Sequence, residues 1–324
     1  MPEVNYPHDR GYKSLLASEE IFLELLQSFI DMGWVSQIDP EAITRIDKSY
    51  ILQDFSEKEA DLVYRLKIKG QDVIFYLLME LQSSVDYQMP YRLLLYMVEI
   101  WRDVLKNIPS EEAARKDFRL PAIIPMTLYN GRDKWTACRS FKETLAEAEL
   151  FKEYVVDFKY LLIDVNRYEK QALMDLANLI GAVFLLDQEI DSKEYRNRLL
   201  GIAPILRKFN TNNFQLFKSW LKIISSVNLP EQTKQEIIRI IDESTPEEAE
   251  KMVTNMEKTL GNIYEEGKND GLLAGKMEGK IEGKIEGKLE AAQKMLAENM
   301  SEDLIVKITG LPVEQIRKIK SELH

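Results

Sequence analysis

The sequence of 324 residues contains few of the side chains that bind soft metals. It has a single cysteine, Cys138, and two histidines, His8 and His324. A zinc site built from cysteine and histidine needs four such ligands, and a disulfide framework needs paired cysteines. Both are excluded, and catalysis by a cysteine and histidine pair is nearly excluded. If a catalytic metal is bound, carboxylates must hold it, which favours hard cations such as Mg²⁺ or Mn²⁺.

Long hydrophobic runs and an excess of positive charge are also absent. No apolar run reaches the roughly 18 to 20 residues that cross a bilayer, and the N-terminus lacks the hydrophobic stretch of a secretory signal. We therefore expect a cytoplasmic protein with no membrane partner. The net charge of −11 excludes a uniformly basic nucleic-acid-binding protein but allows a local basic patch. With 45% hydrophobic residues, the chain can form a substantial core.

Strand and helix patterns alternate in the first 165 residues, whereas helical patterns dominate afterwards. We predict a mixed α/β sheet flanked by helices for residues 1–165 and a helical domain for residues 166–260, with one helix capped by Thr245. The predicted helices of the first part span Ala17–Ile30 and about Pro90 to Leu105. The predicted strands are Tyr50–Leu52, Asp61–Ile68, Asp72–Gln82, Ala122–Leu128 and Tyr154–Val165.

Glycine is concentrated in residues 261–290, which contain seven of the 14 glycines, six of them at every fourth position from Gly267 to Gly287. A four-residue period overshoots the helical repeat by about 40° per step, so this is not a heptad coiled coil. Each glycine costs ~1 kcal/mol relative to alanine. We predict a helical linker that is marginal alone. It either frays or self-associates, because glycine lets two backbones approach closely.

Residues 291–324 have the pattern of a small helical segment resembling a helix-turn-helix. Two short amphipathic helices within Ser301–Leu323 are separated by Thr309–Pro312, and Arg317, Lys318 and Lys320 lie on the second. Such a motif needs a third supporting helix and a dimer to bind DNA usefully. The alternative is that the segment serves packing or homo-oligomerisation through the C-terminal helices.

The stretch from residue 60 to residue 82 is typical of a β-hairpin. A turn at Gly70–Gln71, with glycine first as a type II′ turn prefers, pairs Lys69 with Asp72. One face is then entirely apolar. On the other face Asp61 lies directly opposite Glu80, and Gln82 follows on the same side because side chains alternate along a strand.

Two carboxylates that face each other across neighbouring strands normally destabilise a sheet. A divalent cation between Asp61 and Glu80 would compensate, and the side-chain amide of Gln82 could position an activated water. The alternative is that both acids are simply solvated at the strand ends. Against it, Glu80 follows the apolar run Val73–Met79 without a turn residue.

These residues resemble the PD-(D/E)xK nucleases, in which an acid on one strand and (D/E)-x-K on the next bind Mg²⁺ and cleave DNA. More closely, the chain resembles the Rpn family of bacterial recombination-promoting nucleases, also called YhgA-like putative transposases. The likeness spans about the first 135 residues, and the glycine-rich tail and Ile308–Leu311 add to it. The matching blocks are His8–Asp9 with Tyr12–Lys13, Ala60–Tyr64, Glu80–Ser84, Met89–Arg92, Leu95–Tyr96, Trp101, Pro125, Leu128–Gly131 and Trp135.

The resemblance implies a metal-dependent DNA endonuclease linked to recombination or mobile elements. It implies that Asp61, Glu80 and the backbone carbonyl of Leu81 bind Mg²⁺ or Mn²⁺ and that Gln82 orients the attacking water. Two positions depart from the wider superfamily: Gln82 replaces its lysine, as in the close family, and Ala60 replaces the proline before the first acid. The alternative is a catalytically inactive interaction protein that uses its helical half and tail.

Three basic side chains near the hairpin are candidates for contacts with the DNA backbone, namely Arg65, Lys67 and Arg92. Lysines on strand edges also prevent aggregation, and charged helix faces are commonly only solvated. His8, Glu20 and Glu24 are weaker candidates for a chemical role, since N-terminal packing and surface helix charges are commoner.

Overall fold

The computed structural model describes residues 7–46, 62–68, 70–80, 85–225, 229–298 and 300–322. Side chains are described for all of these except residues 7–9, 71, 72, 76–80, 263–282, 284 and 285. The chain divides into two compact units, Met1–Thr259 and Leu260–His324.

The first unit contains a mixed five-stranded sheet in the order β1-β2-β3-β4-β5. β1, β2 and β3 are antiparallel neighbours, whereas β3, β4 and β5 run parallel. The strands span Thr44–Ile46 (β1), Leu62–Ile68 (β2), Gln71–Glu80 (β3), Ala122–Tyr129 (β4) and Leu161–Asp164 (β5). The predicted α/β class with a mixed sheet and flanking helices is confirmed.

Helices precede the sheet, connect its parallel strands and follow it. None of the described helices is long and apolar enough to span a membrane. They span Pro7–Leu16 (α1), Glu19–Phe29 (α2), Met89–Asn107 (α3), Ser110–Ala113 (α4), Ala148–Phe151 (α5), Lys170–Leu176 (α6), Leu179–Asp187 (α7), Ser192–Gly201 (α8), Ala203–Leu206 (α9), Thr211–Ser225 (α10), Glu231–Glu243 (α11), Ala249–Ala297 (α12), Glu302–Thr309 (α13) and Val313–Glu322 (α14).

One face of the sheet is covered by α2. Its apolar residues recur at helical spacing, so a single stripe faces inward. Within that stripe, Phe22 stacks on Tyr64 of β2 with ring centroids 4.0 Å apart and meets Phe75 of β3 edge-on at 6.2 Å. All three rings are fully buried. The predicted helix Ala17–Ile30 is therefore confirmed, with slightly shorter bounds.

The opposite face of the sheet is covered by α3, which contains Pro90 in its first turn. Leu93, Met97 and Ile100 of α3 are buried. They share a hydrophobic cluster with Val63 of β2 and Ile74 of β3. Because side chains alternate along a strand, odd positions of β2 and even positions of β3 face α3. Helices thus lie on both faces of the sheet, and the α3 face stays open to solvent at Arg65 and Lys67 of β2.

The helices from α6 to α11 belong to the same compact unit as the sheet. Every residue of α7 is buried, and α10 packs along α1. A β-carbon added to Gly11 of α1 would lie 2.9 Å from Cδ1 of Trp220, so a side chain at position 11 would force the two helices apart. The predicted domain boundary between residues 165 and 166 stays a prediction. Within this compact unit, helices from the two sides of the boundary pack together, as α1 does with α10 and α2 with α7.

The predicted hairpin register is wrong by two residues. Ile68 pairs with Gln71, and Leu62 pairs with Leu77. Gly70, with a φ of +74°, therefore occupies the second central position of the turn and not the first. A shift of two residues leaves every side chain on its original face, so the apolar pattern fits both registers equally well. The direct opposition of Asp61 and Glu80 depended on the register that is not observed.

Several predicted elements differ in extent from the observed ones. The predicted strand Tyr154–Val165 is shorter in the structure, where β5 spans only Leu161–Asp164. Tyr154 belongs instead to a 3₁₀ turn at Lys152–Tyr154. β3 begins at Gln71, one residue before the predicted start, and the predicted end at Gln82 lies outside the described residues. The predicted strand Tyr50–Leu52 lies outside the described residues. Helix α1 and the short strand β1 were not predicted, because neither has a long periodic pattern.

We expect Phe22→Ala to lower the free energy of unfolding of the first unit by ~3–5 kcal/mol, because it removes a buried ring that contacts both β2 and β3. Urea denaturation followed by tryptophan fluorescence measures this unit specifically, since all four tryptophans lie before residue 260. Phe151→Ala is the control, because Phe151 is half exposed. A loss of stability in this control as large as that in Phe22→Ala would contradict the packing described.

Candidate active site

Three parallel strands end at the same level along one edge of the sheet. Glu80, the last residue of β3, pairs with Tyr129 of β4, and Tyr129 pairs with Asp164 of β5. Ligands of open α/β sheets bind at the carboxyl ends of the strands, where the loops diverge. The backbone of Glu80 therefore lies where a binding site is expected.

The other predicted metal and catalytic residues fall outside the described residues. Asp61, Leu81 and Gln82 are among them, and only the backbone of Glu80 is described. In the described part of the chain, no group of three or more His, Cys, Asp or Glu side chains could hold a metal ion. The assignment of Asp61, Glu80, Leu81 and Gln82 stays a prediction.

A buried carboxylate, Asp187 at the end of α7, anchors the loop that follows β4. Its Oδ2 accepts a 2.8 Å hydrogen bond from the hydroxyl of Tyr12 in α1. It also accepts one from the side-chain amide of Asn130, which directly follows β4. A buried carboxylate is strongly unfavourable unless donors surround it, so these hydrogen bonds restrict all three groups. One oxygen atom thus joins α1, α7 and the carboxyl end of β4.

A second amide, that of Asn166, connects the loops after β4 and β5. Its Nδ2 lies 3.0 Å from the backbone oxygen of Asn130 and 3.1 Å from that of Gly131. Its Oδ1 accepts a 2.7 Å hydrogen bond from the backbone N–H of Glu189, just beyond α7. The ends of β4 and β5 are therefore held to the same helix terminus.

Glycine at position 131 allows Tyr129 to fold back against its own loop. A β-carbon there would lie 2.1 Å from the Tyr129 hydroxyl oxygen. That hydroxyl donates a 2.9 Å hydrogen bond to the backbone oxygen of Asp133. Any larger residue at position 131 would displace the ring or the loop, which explains the Tyr129–Asn130–Gly131 sequence in structural terms.

Burial changes the acid-base properties of this edge. Desolvation, followed by the nearby charge of Asp187 and the hydrogen bond to it, raises the pKa of Tyr12 well above its usual value, so its hydroxyl remains a donor at neutral pH. Desolvation also raises the pKa of Asp164, although Arg167 lies 3.6 Å from its Oδ2 and acts in the opposite sense. Oδ1 of Asp164 is buried without a hydrogen bond to any described residue.

Sequence analysis missed Asp164, Asn166 and Asp187. A signal for Asp187 was present, because it directly follows the apolar run Leu179–Leu186, just as Glu80 directly follows the apolar run Val73–Met79. Tyr12 and Asn130 lie in the sequence blocks that carry the family resemblance. Their meeting at one carboxylate is a property of the fold, since Tyr12 and Asp187 are separated by 175 positions.

The three basic residues predicted to contact DNA have different environments. Arg65 and Lys67 are exposed on β2, two positions apart and therefore on one face of that strand. The side chain of Arg92 is only 17% exposed, and its guanidinium pairs with Asp86. Arg65 and Lys67 can therefore reach a phosphate directly, whereas Arg92 is already engaged with a carboxylate.

Glu24 of α2 has a structural role in the described unit. Its Oε1 accepts a 2.8 Å hydrogen bond from the backbone N–H of Ile180, in the first turn of α7. Carboxylates at a helix N-terminus satisfy donors that have no partner within the helix. Desolvation nevertheless raises the pKa of Glu24. Glu20, by contrast, is exposed.

We expect Asp187→Ala to destabilise the first unit by ~2–5 kcal/mol, because it leaves the buried hydroxyl of Tyr12 and the half-buried amide of Asn130 without their acceptor. Asp187→Asn keeps an acceptor oxygen and should cost less. Urea denaturation monitored by tryptophan fluorescence tests both, with Asp175→Ala on the exposed side of α6 as the control for losing one acid. Equal losses in Asp187→Ala and Asp175→Ala would contradict the anchoring role.

We expect the stability of the wild type to fall relative to Glu24→Gln between pH 4 and pH 7. The folded protein binds the Glu24 proton more tightly than the unfolded chain, which titrates near 4.5. This contribution to stability is therefore fully present below pH 4.5 and is lost as pH rises through the folded pKa. Glutamine keeps an acceptor for Ile180 but does not titrate. Urea unfolding at each pH measures the difference in free energy of unfolding between the wild type and Glu24→Gln. If the wild type lost stability relative to Glu20→Gln in the same way, the titration of Glu24 would not be the cause.

Comparison with known proteins places this architecture in a family. Residues 6–216 match the family described as "Putative transposase, YhgA-like". The recombination-promoting nuclease RpnD of Escherichia coli O157:H7 is 23% identical over 135 residues, 41% of this chain and 49% of RpnD, so the chain spans about half of that relative. The inactive recombination-promoting nuclease-like protein RpnE of Escherichia coli strain K12 is 19% identical over 268 residues, 82% of this chain and 85% of RpnE.

No solved structure matches significantly. Because the family match covers more than half of the chain, including Tyr12, Asn130 and Asp187, this protein belongs to the family described as "Putative transposase, YhgA-like", and its sequence is similar to that of the recombination-promoting nuclease RpnD.

Proposed function

We propose that this protein is a metal-dependent DNA endonuclease with a PD-(D/E)xK-like site, acting in recombination or on mobile elements. The observation that carries the proposal is the position of Glu80. It is the last residue of β3, at the carboxyl edge of the sheet, and β3 pairs with β2, which begins directly after Asp61 in the sequence. The name of the relative RpnD, a recombination-promoting nuclease, supports the same reaction class.

The observed hairpin register changes the geometry that the proposal requires. If β2 continued by one residue beyond Leu62, position 61 would lie diagonally across from position 80, with Cα atoms about 7–8 Å apart. Aspartate and glutamate side chains are long enough to converge on one ion from such positions. The diagonal arrangement also lessens the direct repulsion that an exactly opposed pair of carboxylates would create.

Oxygen donors are the ligands that Mg²⁺ and Mn²⁺ prefer. In the proposed site, the carboxylates of Asp61 and Glu80 and the backbone carbonyl of Leu81 hold the ion. When bound, the ion supplies Lewis-acid stabilisation of charge at the scissile phosphate. The amide of Gln82 orients the attacking water, and because it is uncharged, the ion and its ligands must supply most of the electrostatic stabilisation.

The surrounding charges suit a restricted contact with DNA. Arg65 and Lys67 project from β2 and can neutralise phosphates near the hairpin, while the pairing of Arg92 with Asp86 fixes the beginning of α3. Since the protein carries a net charge of −11, binding should be confined to this patch and weak, and it should weaken further with salt because each Arg or Lys contact to a phosphate is salt-dependent.

We expect Asp61→Asn and Glu80→Gln each to lower plasmid nicking in Mg²⁺ or Mn²⁺ by at least ~100-fold, because each removes a metal ligand. Gln82→Ala should have a smaller effect, since both carboxylates remain. Binding of Mn²⁺ measured by isothermal titration should weaken in the two acid variants. Glu111→Gln, which removes an exposed glutamate of α4, is the matched control and should retain both activity and binding.

A non-catalytic interaction protein is the second candidate, because RpnE is described as inactive and matches a larger share of this chain. The same assay separates the two. Absence of nicking and of Mn²⁺ binding in the folded wild type would favour the interaction protein. Nicking that survives in both acid variants would mean that the site has been assigned wrongly.

A further inference from the structure

The last two helices form a compact pair joined by a short turn. α13 and α14 are connected by Gly310, Leu311 and Pro312. Gly310 has a φ of +68°, and its N–H donates a 2.8 Å hydrogen bond to the backbone oxygen of Val306, which ends α13. A three- or four-residue turn that contains glycine is typical of the helix-turn-helix motif.

A third helix supports this pair from within the same unit. Ile305 and Thr309 of α13, Leu311 of the turn, and Ile316 and Ile319 of α14 are all buried. The four apolar residues of this set form one hydrophobic cluster with Ala292, near the end of α12. The hydroxyl of Thr309 donates to the backbone oxygen of Ile305 at 2.7 Å and accepts from the N–H of Leu311 at 3.3 Å, which fixes the turn.

The exposed residues of α14 include three cations and one acid, Glu314, and a second acid, Glu302 of α13, engages two of the cations. Arg317, Lys318 and Lys320 are exposed. Nε of Arg317 lies 3.1 Å from Oε2 of Glu302, and Nζ of Lys320 lies 2.8 Å from Oε1 of Glu302. Ion pairs exposed to solvent contribute little to stability, so phosphate oxygens can replace Glu302 at both cations.

We propose that residues 301–322 form a helix-turn-helix that binds double-stranded DNA through α14, and that Glu302 competes with DNA phosphates for Arg317 and Lys320. Three observations carry the proposal: the glycine turn, the third supporting helix, and the three exposed cations on the second helix of the pair. In this motif the second helix enters the major groove. The binding is separate from the proposed cleavage, because it requires neither Glu80 nor a metal ion.

The test measures binding of the full chain to a fluorescently labelled double-stranded oligonucleotide by anisotropy, in EDTA and over a series of salt concentrations. Loss of two phosphate contacts in Arg317→Ala/Lys318→Ala should lower the affinity by at least ~10-fold and reduce the salt slope by about 2. The matched control is Arg115→Ala/Lys116→Ala, which removes an adjacent exposed arginine and lysine from the first unit and should leave the affinity unchanged.

Glu302→Gln provides the opposite change and does not depend on a loss of function. It frees both cations, so the affinity for DNA should rise by ~2- to 5-fold. The proposal is overturned if the wild type does not bind at low salt, or if the α14 variant and its control lose affinity equally. An unchanged or lower affinity in Glu302→Gln overturns the competition by Glu302.

Discussion

The carboxylate of Asp187 is the constraint on which the edge of the sheet depends. A charge taken out of water must be surrounded by donors, and the available donors come from distant parts of the chain: Tyr12 from α1 and Asn130 from the end of β4. These two hydrogen bonds to the carboxylate bring the N-terminal helix, the parallel strands and α7 together. The loop beside Glu80 is therefore positioned by helices that surround the sheet.

This arrangement explains why the helical half cannot be treated as an accessory to the sheet. Asp187 ends α7, a helix with no exposed residue, and Asn166 ties the loops after β4 and β5 to the backbone just beyond it. Glu24 adds a hydrogen bond from α2 to the other end of α7. A change in α7 should thus reach the carboxyl edge of the sheet at both neighbouring loops, without any contact to a bound substrate.

Local periodicity was sufficient to predict helices that bury one face, such as α2 and α3, and a continuous apolar run was sufficient to predict β4 as a buried strand. It could not fix the register of the β2–β3 hairpin, because a shift of two residues preserves the face of every side chain. It identified Glu80 as unusual, since an acid directly after an apolar strand is unlike an ordinary strand end. It could not join Tyr12 to Asp187, because nothing in one sequence reveals a contact across 175 positions.

In the long helix α12, packing at the two ends compensates for the low helix propensity of the glycines between them. Its glycines disfavour the helix by ~1 kcal/mol each. At Gly283 and Gly287, moreover, a β-carbon would meet no described atom within 4 Å, so close packing does not require glycine there. Before the glycines, Met252, Val253 and Met256 are buried in the first unit, and after them Ala292 is buried in the second. Helix growth adds one hydrogen bond for each residue fixed, whereas starting a new helix is costly. Two anchored ends therefore favour propagation through the glycines, and the segment between them depends on those ends for its stability.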